Sequence, residues 1–358
     1  MSQARFLPYD AVTDWLRKIA ETMRVTAPVR EGNSVVFRDF DPEEPLVLGH
    51  QSAASPKSVV FPQLEYLFRY KTDRTADENG VRQITLEPIY PDEDVFVFGA
   101  NPCGARGLTT LDPVFINDEY VDPYYKARRE RSIIASIVCT LPGDACFCHW
   151  VGGNPNDPVG SDLVLTPIEG GYLVRAHSEK GEKLAAGLDK ADAREEQAAQ
   201  QVEDAVLATL DPPPDLTDCP DVMENVFDDM ELWEQVSDKC IYCGACTYYC
   251  PTCYCFNITD EASGIAGERI RSWDSCMFPT YTREASGHNP RPTKAHRFRN
   301  RILHKFSYYP KLYNRVFSCT GCGRCIRMCP TTVDIRDAVL RVKEAATKDE
   351  SAKEVSDG

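Results

Sequence analysis

The sequence predicts an α+β protein, in which a mixed α/β domain at residues 1–210 precedes a predominantly helical domain at residues 219–346. Three observations predict it. Short apolar runs bounded by turns fill the first part of the chain. The run Asp211-Pro212-Pro213-Pro214-Asp215 then interrupts it, and beyond that point helical periodicity surrounds two copies of one cysteine motif. Three consecutive prolines can neither continue a helix nor donate to a sheet ladder, so 211–218 is read as a linker. Residues 347–358 are polar and charged and are expected to be a disordered tail.

The elements follow in order. Ala11 to Met23 mixes apolar and charged residues as an amphipathic helix does, and no uninterrupted apolar core of a secretory leader occurs near the N-terminus. Strands are expected at Ser34–Phe37, Pro45–Leu48, Val95–Phe98 and Ile133–Val138. The last two carry apolar residues on both faces, as a buried sheet demands. Leu163–Thr166 and Tyr172–Arg175, joined through Glu169-Gly170-Gly171, form a hairpin pattern. Glu179 to Leu210 is rich in Ala, Glu, Gln and Lys and is read as helical. From Asp221 to Lys343 there is almost no strand signal. In His296–Phe306 the side chains Phe298, Ile302, Leu303 and Phe306 share one helical face.

The 358 residues are 42% apolar, enough for a sizeable core, and the net charge of −15 argues against nucleic-acid or anionic-membrane binding by the whole-molecule field. No run of about 18 apolar residues is present, so no membrane span is expected. The cytoplasm is the expected compartment. In that reducing setting the 16 cysteines point to metal or cluster ligation rather than to disulfides.

Cys240-Ile-Tyr-Cys243-Gly-Ala-Cys246-Thr-Tyr-Tyr-Cys250-Pro251 has the form C-x2-C-x2-C-x3-C-P, and Cys319, Cys322, Cys325, Cys329 and Pro330 repeat it. A cubane needs four thiolates on four iron corners. Three cysteines at this spacing wrap one loop round three corners, and the fourth points to the other cluster. The expected wiring is crossed: Cys240, Cys243, Cys246 and Cys329 for one [4Fe–4S] cluster, Cys319, Cys322, Cys325 and Cys250 for the other. Gly244 and Gly323 let the backbone approach the sulfides. Zinc ribbons are the competing reading, but they draw two cysteines from each of two loops. The long stretch between the motifs predicts a helical dicluster, ferredoxin-like domain rather than a compact ferredoxin.

Cys103 and Cys139 follow the apolar runs at 95–98 and 133–138. If those are parallel strands of one sheet, both emerge at its carboxyl edge, where Cys146 and Cys148 can join them. A possible third cluster, a zinc site that includes His149, and buried cysteines acting as small hydrophobes all remain open here. Cys253, Cys255 and Cys276 are read as packing near a cluster, and Cys219 as an ordinary residue. Between Glu261 and Arg315 stand 11 Lys and Arg against four acids. This inversion of the overall charge is compatible with charge balance for the clusters, with docking to an acidic partner, with a solvated helix face or with a nucleic-acid patch, the last disfavoured by the acidic remainder.

These residues resemble a known family: the beta subunits of soluble NiFe-hydrogenases (sulfhydrogenases) and the A subunits of anaerobic sulfite reductases. The resemblance spans about residues 55–340. It is carried by Ser55-Pro-Lys57, Phe61-Pro62 and Glu65, by Phe98-Gly-Ala-Asn-Pro-Cys103 with Leu111-Asp112, and by Asp122-Pro-Tyr-Tyr125 with Arg128-Arg129. Cys146-Phe-Cys148, Ser178-Glu-Lys-Gly181, Cys250-Pro-Thr-Cys253-Tyr-Cys255, Trp273-Asp-Ser-Cys276, Arg297-Phe-Arg299 and His304-Lys-Phe306 add to it. The chain departs from the family at Gly104, where an acid is expected. The resemblance implies a non-catalytic electron-transfer subunit. Its implied partners are a flavin-bearing NAD(P)H subunit and a catalytic subunit of NiFe-hydrogenase or sulfite reductase type.

No dinucleotide fingerprint, P-loop or Ser-His-Asp order of the usual kinds is present, in keeping with a relay. The alternative is a sulfur- or disulfide-reducing subunit with its own reactive cluster at Cys103, Cys139, Cys146 and Cys148.

Overall fold

A computed structural model describes residues 3–76 and 78–357 of the chain. Twelve strands form two sheets. In the first part of the chain they are β1 (Arg5–Pro8), β2 (Arg24–Glu31), β3 (Ser34–Asp39), β4 (Leu64–Thr72), β5 (Ile84–Pro88) and β6 (Val95–Ala100). There follow β7 (Ser132–Ile137), β8 (Leu163–Ile168), β9 (Gly171–Ala176), β10 (Asp189–Lys190), β11 (Phe256–Ser263) and β12 (Ala266–Trp273).

The larger sheet has the order β10-β1-β9-β8-β7-β6-β2-β3. Its centre, β2, β6, β7 and β8, is parallel, and its flanks are antiparallel. Every residue of β6 and β7 is buried, in keeping with sequences that carry apolar residues on both faces. One face is covered by the helix Val12–Ala20, whose Trp15 and Leu16 pack on Phe96 and Phe98. The other face carries Phe61, Leu108, Leu111, Phe115 and Tyr125. The hairpin β8–β9 pairs as its sequence predicts, with a left-handed Gly170 (φ 81°) in its turn.

Several expectations change. Pro45–Leu48 is not a strand, since only Leu46 forms an isolated bridge, to Val29. The predicted helix over 179–210 is two helices, Glu179–Ala185 and Ala193–Leu207, separated by β10. The second begins at a capping box in which Asp192 and Glu195 satisfy each other's backbone amides. The third change is larger. The region expected to be helical contains the hairpin β11–β12, which joins β4 and β5 in an antiparallel sheet of order β11-β12-β4-β5. That sheet takes two strands from each side of the proline-rich segment. The strand Phe256–Ser263 is almost wholly exposed, so it carries no apolar alternation from which it could be recognised.

The rest of the C-terminal region packs helices about Met223, Trp233, Phe298, Ile302 and Val342, and Phe147 and Val151 from the first part of the chain enter the same core. The last helix, Ile335–Asp357, continues through the residues whose composition suggests a disordered tail.

Candidate metal centre

The two cysteine motifs fold alike. In each, a left-handed glycine, Gly244 (φ 79°) or Gly323 (φ 68°), caps a one-turn helix that carries the third cysteine, Cys246 in Ala245–Tyr248 and Cys325 in Arg324–Arg327. The residue before the second cysteine is also left-handed. In the second motif it is Gly321 (φ 61°), and in the first it is Tyr242 (φ 46°), where a side chain is strained. Backbone amides point at the sulfurs: Tyr242 donates to Cys240 Sγ at 3.4 Å, Gly321 to Cys319 Sγ at 3.5 Å and Val333 to Cys329 Sγ at 3.2 Å.

Each motif encloses a recess, and each recess is also lined by cysteine from the other motif. The first, about 440 Å³, is lined by Cys240, Cys243 and Cys246 together with Cys329 and Cys325 of the second motif. The second, about 290 Å³, is lined by Cys319, Cys322 and Cys325 together with Cys250. The walls are otherwise largely apolar, with Met277, Phe298 and Ile335 among them. Four thiol donors about an enclosed space fit an iron–sulfur cube. Among the described residues no three His, Cys, Asp or Glu side chains converge as the ligands of one metal ion do. Burial pushes the Cys319 thiol up to about 12. Cys250 moves the other way, well below the usual thiol range. The hydrogen bond from Cys253 outweighs burial there, with Lys305 and Thr252 adding to it. Lys305 Nζ stands 3.4 Å from Cys250 Sγ and donates to Thr252 Oγ1 at 2.9 Å and to the Ser318 carbonyl at 2.8 Å.

Cys103, Cys139, Cys146 and Cys148 also come together. Strands β6 and β7 are parallel neighbours, so Cys103 at the start of the helix Pro102–Thr109 and Cys139 just past β7 share the carboxyl edge. With the 146–148 loop they line a third, more open recess of about 1160 Å³, and Cys322 of the second motif forms part of its wall. Gln51 Nε2 bridges the two, 3.6 Å from Cys103 Sγ and 2.8 Å from the Cys322 carbonyl. Burial, then the neighbouring thiols Cys103 and Cys146, push Cys139 up to about 12, and Cys148 is raised likewise. Phe147 N donates to the Gly321 carbonyl at 2.7 Å, and a Cβ on Gly321 would overlap the Phe147 carbonyl, so the second and third sites are locked together. His149 is not part of this recess and its Nε2 has no partner, which removes it from any ligand set there. At Gly104 a Cβ would already meet Pro56 Cδ at 3.3 Å, leaving little room for the acid expected at that position.

Of the remaining cysteines, Cys219 is fully buried, Cys276 and Cys255 join the C-terminal core, and Cys253 hydrogen-bonds Cys250. The basic stretch differs from most of its readings. Arg297, Arg299, Arg301 and Lys305 are all buried, so these residues present neither a solvated face nor a docking patch. Arg297 donates to the Met277 carbonyl at 3.0 Å, and Arg299 to the Phe227 carbonyl at 2.7 Å. Arg301 lines both the first and the second recess. Sequence reasoning missed Gln51, which no cysteine motif accompanies, and Arg324, whose only signal is its place between Cys322 and Cys325.

The 4Fe-4S dicluster domain family matches residues 239–333. The chain is 28% identical over 337 residues to the beta subunit of sulfhydrogenase 2 from Pyrococcus furiosus, covering 92% of this chain and 96% of the relative. The resemblance found in the motifs is thereby borne out along nearly the whole chain. No solved structure matches.

Proposed function

From that likeness we propose that the chain is the electron-relay subunit of a hydrogenase-type complex, with two crossed [4Fe–4S] clusters and a third at Cys103, Cys139, Cys146 and Cys148. The observation that carries the reading is the exchange of the fourth cysteine between motifs, which sets the first two recesses side by side, with Cys322 shared between the second and the third. Bound there, each cluster takes up and releases one electron. The chain's own residues hold the thiolates, direct amides at the sulfurs and exclude water with apolar walls. Both ends of the row reach the surface, at exposed Ile241 and Cys243 beside the first recess and at Leu141, 83% exposed, beside the third.

As the family resemblance implies, one end faces a flavin-bearing NAD(P)H subunit and the other a catalytic subunit of NiFe-hydrogenase type. The cytoplasm suits 16 cysteines without a disulfide among the described residues, and no described helix is long and apolar enough to cross a membrane. The openness of the third recess favours one second reading, a sulfite reductase-type or sulfur-reducing subunit that reacts there with a small substrate.

Anaerobic purification with iron and acid-labile sulfide analysis tests the proposal. Roughly 12 iron and 12 sulfide per chain are expected for three cubes, together with signals that reduce and reoxidise without consuming a small substrate. Stoichiometric zinc with little sulfide would remove the reading. Turnover of polysulfide or sulfite by the isolated chain, lost in Cys103→Ser, would favour the second.

A further inference from the structure

Two arginines occupy the partitions between the three thiol sets. Arg301, 3% exposed, lines the first and the second recess together, and its Nε has no hydrogen-bond partner. Arg324 is fully buried. Its Nη1 is 3.9 Å from Cys103 Sγ of the third set, while its own backbone lies two residues beyond Cys322 of the second. Its Nε and Nη2 are held by the Ser52 carbonyl and hydroxyl at 3.0 and 3.2 Å. Neither arginine has a carboxylate within ion-pair distance among the described residues, although most other buried or half-buried arginines of the chain do.

A guanidinium withdrawn from water and left without an anion is strongly disfavoured. Around Arg301 the groups that become anions are cysteines: Cys246 of the first set and Cys325 and Cys250 of the second line its two recesses and carry thiolate charge once they hold iron. Around Arg324 they are Cys103, 3.9 Å from its Nη1, and Cys322, two residues before it. A cube with four thiolates carries net negative charge, which grows by one on reduction, and net charge is one of the determinants of its potential.

We propose that Arg301 and Arg324 are shared counter-cations of the relay, Arg301 serving the first and second clusters and Arg324 the second and third. Each raises the potentials of the two clusters it separates. An electron arriving on either neighbour adds one negative charge beside a fixed positive one, so no proton need accompany it. The middle cluster, touched by both, gains most. The proposal rests on the cluster reading above.

The test is an anaerobic redox titration, followed by electron paramagnetic resonance, of the full chain carrying Arg301→Gln or Arg324→Gln. Signals are assigned beforehand with Cys243→Ser, Cys319→Ser and Cys103→Ser. Arg301→Gln is expected to retain its iron and to make the first and second clusters at least tenfold harder to reduce at a given potential, a shift of ~59 mV for one electron, leaving the third unchanged. Arg324→Gln moves the second and third and leaves the first. Arg301→Lys, which keeps the charge, stays near the parent values. Loaded variants whose potentials match the parent, or shift all three clusters equally, overturn the proposal. If Arg301→Gln loads no iron while Arg301→Lys does, the charge itself is needed to hold the clusters, which upholds the role. Failure of both to load assigns Arg301 to folding and overturns it. A parent chain without iron refutes the cluster reading instead.

Discussion

Glu65 offers the most direct measure of what joins the two parts of the chain. It lies on β4, its side chain is 1% exposed, and it accepts from Arg271 Nε of β12 at 2.8 Å as well as from Arg128 of the helix Pro123–Arg131. Arg271 is paired also with Asp122 and lies over the rings of Phe61, Phe115 and Phe256 at 5.4, 5.8 and 5.5 Å. Glu65→Ala leaves two guanidiniums, Arg128 and Arg271, with Asp122 as the one carboxylate in place of two. Removing one partner from a buried pair costs about 3–5 kcal/mol. In a chain of this length each kcal/mol lowers the melting midpoint by roughly 2 °C, so a fall of about 6–10 °C is expected. The assay is a circular-dichroism melt of anaerobically prepared protein. Because the penalty comes from the unbalanced charge, Glu65→Leu combined with Arg271→Met, which leaves one cation (Arg128) and one carboxylate (Asp122), should lose less than Glu65→Ala alone, which leaves two cations and one carboxylate. A fall under about 2 °C for Glu65→Ala, or a larger fall for the double variant, would refute the reasoning.

Cys219 links stability to alkaline pH. Burial pushes its thiol from the ordinary value near 9 up to about 12, so the stability it contributes is complete below pH 9 and is lost as pH rises from 9 toward 12. Melts at pH 8 to 10.5 should therefore fall less steeply for Cys219→Ala than for the parent, and equal slopes would contradict this. Gly321→Ala should strip iron from the second and third sites, because its new methyl group falls on the Phe147 carbonyl. Iron analysis should approach the content of the first site alone, and full loading would show that the loop accommodates the methyl. Trp233→Phe, which strands the Val226 carbonyl now bound by Trp233 Nε1 at 2.8 Å, should cost about 1–3 kcal/mol in denaturant titration.

The sequence exposes those elements whose physics is local or whose pattern is strong. The runs that became β6 and β7 carry apolar residues on both faces because both faces are covered, and their parallel pairing brings Cys103 and Cys139 to one recess. Cysteine spacing led to the expectation of crossed ligand sets, and Cys329 and Cys250 each line the recess of the opposite motif. The sequence hides elements stabilised from elsewhere in the chain. Strand β11 exists because it pairs with β12, and β12 with β4 some 200 positions earlier, where Arg271 meets Glu65. The charged helix Lys294–Leu303 was hard to place for a related reason. Arginines ordinarily mark a wet face, but here Arg301 turns toward the thiol recesses, while Arg297 and Arg299 turn in to the carbonyls of Met277 and Phe227. Glu65, Asp122 and Arg128 stand out in the motifs that carry the family resemblance, yet the structure gives them a junction to hold rather than a cofactor.

The claim on which the account stands is the exchange of ligands between the motifs. Spectra of single serine variants of the reconstituted chain test it directly. Cys329→Ser should perturb the same cluster signal as Cys243→Ser, and Cys250→Ser the same signal as Cys322→Ser. If Cys329→Ser instead perturbs the signal of Cys322→Ser, each motif closes its own cube and the crossed arrangement is wrong.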